Sequence, residues 1–317
     1  MYPLSELIHD SGSPPPTGAY SRLDELILLR YGARELKLNR QRKAFRLLVG
    51  PHQAKFRGRG IEFEEVRGYQ AGDDIRGIDW RVTARTGKPH TKMFREERER
   101  PVLILVDQRL SMFFGSRTCF KSVMAVHVAA LLAWAALQQG DRVGGLVFNS
   151  MEHREIRPKR NVKNVLRLLN DINSLNHLLR KDFPAAGFGL DEALEEMRRI
   201  TRPGSNLFVI SDFKGLAAKG EKQLYHLNRH GDVSAVRVFD PLEQELPAKG
   251  FYSITDGNER VMMYTGDKDL RRSYRDGFNR KTERLAQLLG PMGIPLIPLS
   301  TQDSPAHYFR NLLGRGR

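Results

Sequence analysis

The chain has 317 residues, 40% hydrophobic and 28% charged, with a net charge of +15. That is the composition of a globular protein, long enough for one large domain with an appended region. A single cysteine, Cys119, excludes an internal disulfide and a thiolate pair for zinc. No apolar run reaches the roughly 18 to 20 residues that span a bilayer, so no transmembrane segment is expected. The best candidate, Val123 to Leu137, is interrupted by His127, follows Lys121, and reads as a buried helix. Met1 to Glu6 lacks the basic and apolar blocks of a signal peptide, and a cytoplasmic placement is expected. The positive charge gathers in two places. Residues 1–60 hold eleven Lys/Arg against five Asp/Glu, and a second group runs from Arg154 to Lys181. Such surfaces suit nucleic acid, an acidic protein or the anionic face of a membrane. No aromatic-studded basic stripe for stacking bases accompanies them, which weighs against nucleic acid.

In chain order, Ser13-Pro-Pro-Pro16 marks a flexible leader. Leu23 to Arg30 has helical spacing with Ser21 as its expected N-cap. Ile61, Phe63 and Val66 suggest a short strand, Gly72-Asp73-Asp74 a turn, and Asp79-Trp80-Arg81 an apolar anchor for that block. Val102 to Val106 are five consecutive apolar residues rich in β-branched types. They read as a strand buried on both faces of a parallel sheet, ending in Asp107. A helix over 121–139, a strand over 141–148 and an edge strand over 151–156 follow, then helices over 161–179 and 190–200. Ser205 to Asp212 repeats the pattern of an apolar strand ending in a carboxylate. Helix 219–230, strand 233–239, a hairpin (251–256 with 260–264), helix 268–289, strand 294–298 and helix 304–313 complete the alternation. Strands alternating with helices predict a mostly parallel α/β sheet covered on both faces, with an N-terminal extension and a small inserted β region. The expected division is 1–57 as leader and basic extension, 58–100 as a β/turn block, and 101–317 as the α/β domain.

Ligands bind outside the carboxyl ends of strands in open α/β sheets, which makes Asp107 and Asp212 the first functional candidates. A helix cap or turn acid is the plain alternative for each. The run Val106-Asp107-Gln108-Arg109-Leu110-Ser111-Met112 resembles the Asp-x-Ser-x-Ser metal motif of von Willebrand factor A domains, and Ser211-Asp212-Phe213 resembles their later metal-site acid. Gly68-Tyr69-Gln-Ala-Gly72-Asp73-Asp74-Ile-Arg76-Gly-Ile-Asp79-Trp80, followed by Ala84-Arg85-Thr-Gly87, resembles the hallmark of the bacterial domain-of-unknown-function 58 family. That resemblance implies a von Willebrand A-like, Rossmann-like fold and a partnership with MoxR-type AAA+ ATPases, with other von Willebrand A proteins as further partners. It also implies a degenerate metal-ion-dependent adhesion site. Asp107, Ser111 and Asp212 match the ligand pattern, but Arg109 occupies the first Ser position and Phe188 the Thr position. Arginine carries a permanent charge and no lone pair. Arg109 either takes the metal's place beside the carboxylates or points to solvent; no cofactor is expected, with Mg²⁺ at Asp107, Ser111 and Asp212 the disfavoured alternative.

No His-x-His or His-Glu-x-x-His pattern occurs, Gly187-Phe188-Gly189 lacks the lysine of a phosphate loop, and His226 with His230 reads as a solvated helix face. The leading expectation is therefore a non-enzymatic adaptor for a MoxR-type ATPase that assembles or matures another complex. A nucleic-acid-binding protein and a divalent-metal hydrolase are the alternatives, and peripheral membrane contact is open to so basic a chain.

Overall fold

The structure, a computed structural model, describes residues 15–38, 66–70, 78, 80–92, 100–255 and 260–314. Contacts divide the chain into a small unit, Gln53–Glu99, and a large one, Met1–His52 with Arg100–Arg317. Helix α1 (Leu23–Gly32) opens the large unit. In the small unit, β1 (Val66–Gly68) pairs antiparallel with β2 (His90–Lys92), and between them lies α2 (Trp80–Thr86). The Thr83 hydroxyl on α2 accepts the His90 N–H at 3.0 Å. The expectation that Trp80 anchors this block fails: it opens the helix 68% exposed. Ile61, Phe63, Gly72, Asp73, Asp74, Arg76 and Asp79 lie outside the described residues.

The rest of the large unit runs β3 (Pro101–Asp107), α3 (Lys121–Gln138), β4 (Arg142–Phe148), β5 (His153–Lys159), α4 (Val162–Leu178), α5 (Leu190–Ile200), β6 (Asn206–Ser211), α6 (Ala218–His230) and β7 (Asp232–Phe239). Then come the short α7 (Pro241–Gln244), β8 (Phe251–Thr255), β9 (Arg260–Tyr264), α8 (Lys268–Met292), β10 (Leu296–Ser300) and α9 (Pro305–Gly314). Six strands form one sheet in the order β10-β7-β6-β3-β4-β5, parallel throughout except for β5 at its edge. Side chains alternate across β3. Val102, Ile104 and Val106 belong to the core that α1, α3, α4 and α9 build on one face, while Leu103 and Leu105 belong to the core that α5, α6 and α8 build on the other. Burial on both faces explains the unbroken apolar run.

One described helix, α3, is long and apolar enough to cross a bilayer. Here it is the core helix, buried from Lys121 to Ala136. Residues 15–38 join that core instead of forming a separate extension. Leu26, Leu29, Ala33, Leu36 and Leu38 are buried, and the Trp134 indole donates to the Leu26 carbonyl at 2.9 Å. Ser21 does not cap α1; the N-cap position is Arg22, and the Ser21 hydroxyl donates to Asn173 at 2.8 Å. Strand β10 begins two residues later than the spacing predicts. The Ile294 N–H still caps α8 through the Leu289 carbonyl at 3.1 Å, and pairing with β7 opens at the Pro295 carbonyl. Gly293, with φ +73°, makes that helix ending possible.

His127 sits in the middle of α3, fully buried, with neither ring nitrogen hydrogen-bonded. Burial pushes its pKa down to about 4. A histidine with a depressed folded-state pKa binds its proton more readily when unfolded. Stability therefore falls as pH drops from about 6.5 to about 4, by about 3 kcal/mol from this group. His127→Leu is expected to raise Tm at pH 7, because it removes two buried ring nitrogens that make no hydrogen bond, and to flatten stability between pH 6.5 and 4. Thermal melts of both proteins across that range check the expectation.

Candidate functional site at the carboxyl edge

The strand order reverses direction between β3 and β6, the switch point at which an open α/β sheet leaves a crevice beyond its carboxyl ends. Asp107 ends β3 and Asp212 follows β6, so the sheet brings the two acids together there. Between them lies Arg109. Its Nε donates to Asp107 Oδ1 at 3.0 Å, its Nη2 to Oδ2 at 2.6 Å, and its own backbone N–H to Oδ1 at 3.0 Å. Nη2 lies 3.8 Å from Asp212 Oδ1. The Ser211 hydroxyl donates to Asp107 Oδ2 at 2.6 Å and in turn accepts the Phe213 N–H at 2.9 Å. Each oxygen of this buried carboxylate thus accepts from two donors, the condition under which a buried charge is tolerated. Burial opposes the Arg109 charge, but Asp107 and Asp212 more than offset it and hold the guanidinium protonated.

A second cation completes the network. Lys121, the first residue of α3, is almost fully buried; its Nζ donates to Asp212 Oδ2 at 3.1 Å and to Glu243 Oε1 at 2.7 Å. Burial lowers its affinity for the proton, and the two acids raise it further than burial lowers it. For Asp212, burial would push the pKa up, but Lys121, the Lys214 N–H and Arg109 together hold it below the ordinary carboxylate value. Asp240, beyond β7, is a third strand-end acid. It accepts the Ser116 N–H at 2.9 Å, the Thr301 hydroxyl at 2.7 Å and the Leu242 N–H at 2.9 Å. It thereby ties the β3–α3 loop to the loop after β10.

The remaining candidates fall as follows. The Ser111 hydroxyl is buried without a hydrogen-bond partner. The Phe188 ring stacks on His153 at 4.7 Å and meets Phe148 edge-on at 5.9 Å, while Arg109 lies 5.6 Å over the Phe148 ring. Tyr69, Trp80 and Arg85 belong to the small unit. His226 and His230 share α6, and among the described residues no three His, Cys, Asp or Glu side chains cluster to hold a metal. Cys119 is buried and its thiol is pushed up to about 12, chiefly by burial and then by Asp240. The folded chain is therefore expected to resist iodoacetamide at pH 8 and to react once denatured, read by mass spectrometry.

The residues do not fit the divalent ion of metal-binding von Willebrand A domains. Mg²⁺ requires six oxygens in a near-octahedral shell at about 2.1 Å. Both Asp107 oxygens are already held by the guanidinium and by Ser211, Asp212 faces Lys121, and Phe188 offers no oxygen. The sequence reading missed Lys121, Ser211, Asp240, Glu243 and Thr301 as members of this network. Two signals were present: a lysine opening a run of otherwise apolar helix, and a third apolar strand, Val233 to Phe239, running into an acid.

The strand order defines a mostly parallel α/β protein, covered by helices, in which two strand-end acids are paired with the chain's own cations. The sequence matches the profile of the family described as "Protein of unknown function DUF58" over residues 65–284. It is 30% identical over 287 residues to the uncharacterized protein Rv1480 of Mycobacterium tuberculosis (strain ATCC 25618 / H37Rv), covering 90% of this chain and 89% of that protein. The uncharacterized protein Mb1516 of Mycobacterium bovis matches to the same extent. This chain belongs to the DUF58 family. Among solved structures, BatB from Bacteroides thetaiotaomicron is 16% identical, with a TM-score of 0.37 over 61% of this chain and 98% of its own. An aerotolerance-related membrane protein from Bacteroides fragilis is 16% identical, with a TM-score of 0.43 over 67% and 96%.

Proposed function

We propose that this chain is a non-enzymatic, cytoplasmic interaction adaptor that works with a MoxR-type AAA+ ATPase in assembling or maturing another protein complex, and that it does so without a metal ion. The observation that supports this reading is Arg109 itself, seated on Asp107 where the metal-binding pattern has a hydroxyl. The guanidinium thus holds the strand-end carboxylates without any cofactor. In the loops after β3 and β4, Phe114 is 41% and Met151 68% exposed, apolar side chains of the kind that anchor protein contacts.

The test uses the purified chain and a MoxR-type ATPase from the same genome. Size-exclusion chromatography with light scattering is expected to give a complex that survives chelation by EDTA and a rise in salt. No complex in any nucleotide state would overturn the reading. A duplex-DNA complex that falls steeply with salt, with no ATPase complex, would favour nucleic acid. A phosphoesterase activity lost in Asp107→Ala and on chelation would favour the hydrolase.

A further inference from the structure

The β8–β9 ribbon stands apart from the six-stranded sheet as a two-stranded sheet of its own. Register places Phe251 opposite Tyr264 and Ser253 opposite Met262, and cross-strand partners share a face. That face presents Phe251, Met262 and Tyr264 to solvent. Phe251 is 74% exposed and Met262 65%, although both are residue types that normally sit inside. The Phe251 and Tyr264 rings pack on each other at 4.8 Å. At the foot of the ribbon, the Arg271 guanidinium donates to the Pro247 carbonyl at 2.7 Å and the Thr265 carbonyl at 3.3 Å, tying the first turn of α8 to the residues that flank the ribbon. Helical spacing then sets Lys268 and Arg272 on one exposed stripe of that helix, with Arg275 beside them paired to Glu245. Residues 268–284 hold seven Lys/Arg against three Asp/Glu, within a chain of net charge +15.

We infer that the ribbon and this helix form a peripheral membrane-binding surface for anionic lipid. The apolar face of the ribbon enters the headgroup region, and the basic stripe meets the lipid phosphates. Phe and Met leave water there with no hydrogen bond lost, and a Tyr hydroxyl stays among the headgroups. Lys and Arg near an anionic leaflet add an attraction that extends about one Debye length, roughly 8 to 10 Å. A single-stranded nucleic acid fits the patch less well. The two rings pack on each other at a 37° tilt, which occupies one side of each, and Met262 has no ring. The inference does not depend on the ATPase partnership.

Flotation with phosphatidylcholine vesicles, with and without about 30% phosphatidylglycerol, tests it. The full chain is expected to float with the anionic vesicles alone, and to lose at least about tenfold in binding as NaCl rises from about 50 to about 300 mM. Phe251→Ser with Met262→Ser is expected to cost about tenfold or more at low salt, with an unchanged circular-dichroism spectrum. Lys268→Glu with Arg272→Glu, which leaves the ribbon intact, is expected to do the same. The proposal is overturned if neither vesicle binds. It is equally overturned if the ribbon variant floats as well as the parent, which would assign binding to bulk charge. Binding of a single-stranded oligonucleotide but not of vesicles, lost in the ribbon variant, would reassign the surface to nucleic acid.

Discussion

Arg109→Ser is expected to lower Tm by roughly 10 °C and to create a divalent-cation site that the parent chain lacks. The substitution removes the guanidinium that satisfies Asp107 through Nε and Nη2, and leaves a carboxylate with no solvent exposure and only the Ser211 hydroxyl and a backbone N–H as donors. Removing one member of a buried ion pair costs about 3–5 kcal/mol, which corresponds to roughly 10 °C in a domain of this size. The same change takes away a charge whose repulsion of a divalent ion at about 4 Å amounts to about 8 kcal/mol at an effective dielectric of about 20. It also adds a hydroxyl beside Ser111. Isothermal titration with Mn²⁺ is expected to show one site in the variant and none in the parent, and Mn²⁺ is expected to recover part of the lost Tm. Micromolar, one-to-one binding of Mn²⁺ by the parent would show that Arg109 does not hold the metal's place.

The residues whose chemistry is local were legible in the sequence. Val102 to Val106 declare a strand buried on both faces because nothing polar interrupts them, and Gly140, with φ +85°, ends α3 where a left-handed residue is needed. Helix α5 follows from Ala193, Leu194 and Met197 at helical spacing. What failed depends on contacts made at a distance. Ser21 has the chemistry of a cap, but Asn173 on α4 offers its hydroxyl a better partner. Trp80 has the bulk of an anchor, yet it opens a short helix and stays exposed.

The site divides the same way. Asp107 and Asp212 announce themselves as acids at the ends of apolar strands, and Arg109 breaks a motif at a fixed spacing. Lys121 is separated from Asp212 by 91 residues and from Glu243 by 122, and only the strand order closes those gaps. Phe213, with φ +58°, is likewise invisible in the sequence. A non-glycine residue in the left-handed region costs about 1 kcal/mol, and it stands where the Ser211 hydroxyl links the Phe213 N–H to Asp107. Loop strain of this kind is fixed by surroundings that a linear pattern does not contain.

Lys121→Met keeps the length of the side chain and removes its charge, and it is expected to destabilise the chain by about 3–5 kcal/mol at pH 7. Of the two acids it abandons, Glu243 is 35% exposed and can turn to water; Asp212, at 8%, is left with the Lys214 N–H and an arginine 3.8 Å away. The loss should depend on pH in a defined sense. In the parent, Asp212 is held below its unfolded value of 3.8, so its contribution is present above that pH and disappears as pH falls through the folded pKa. In the variant the chief opposing charge is gone, so burial moves the Asp212 pKa upward relative to the parent. The gap between parent and variant should therefore be widest near neutral pH and narrow below about pH 4. Chemical denaturation at pH 7 and pH 3.5 reads this directly. A gap of equal size at both values would mean that Lys121 acts through packing alone. Lys121→Met combined with Asp212→Asn should recover much of the loss, because replacing both partners leaves no buried charge unpaired.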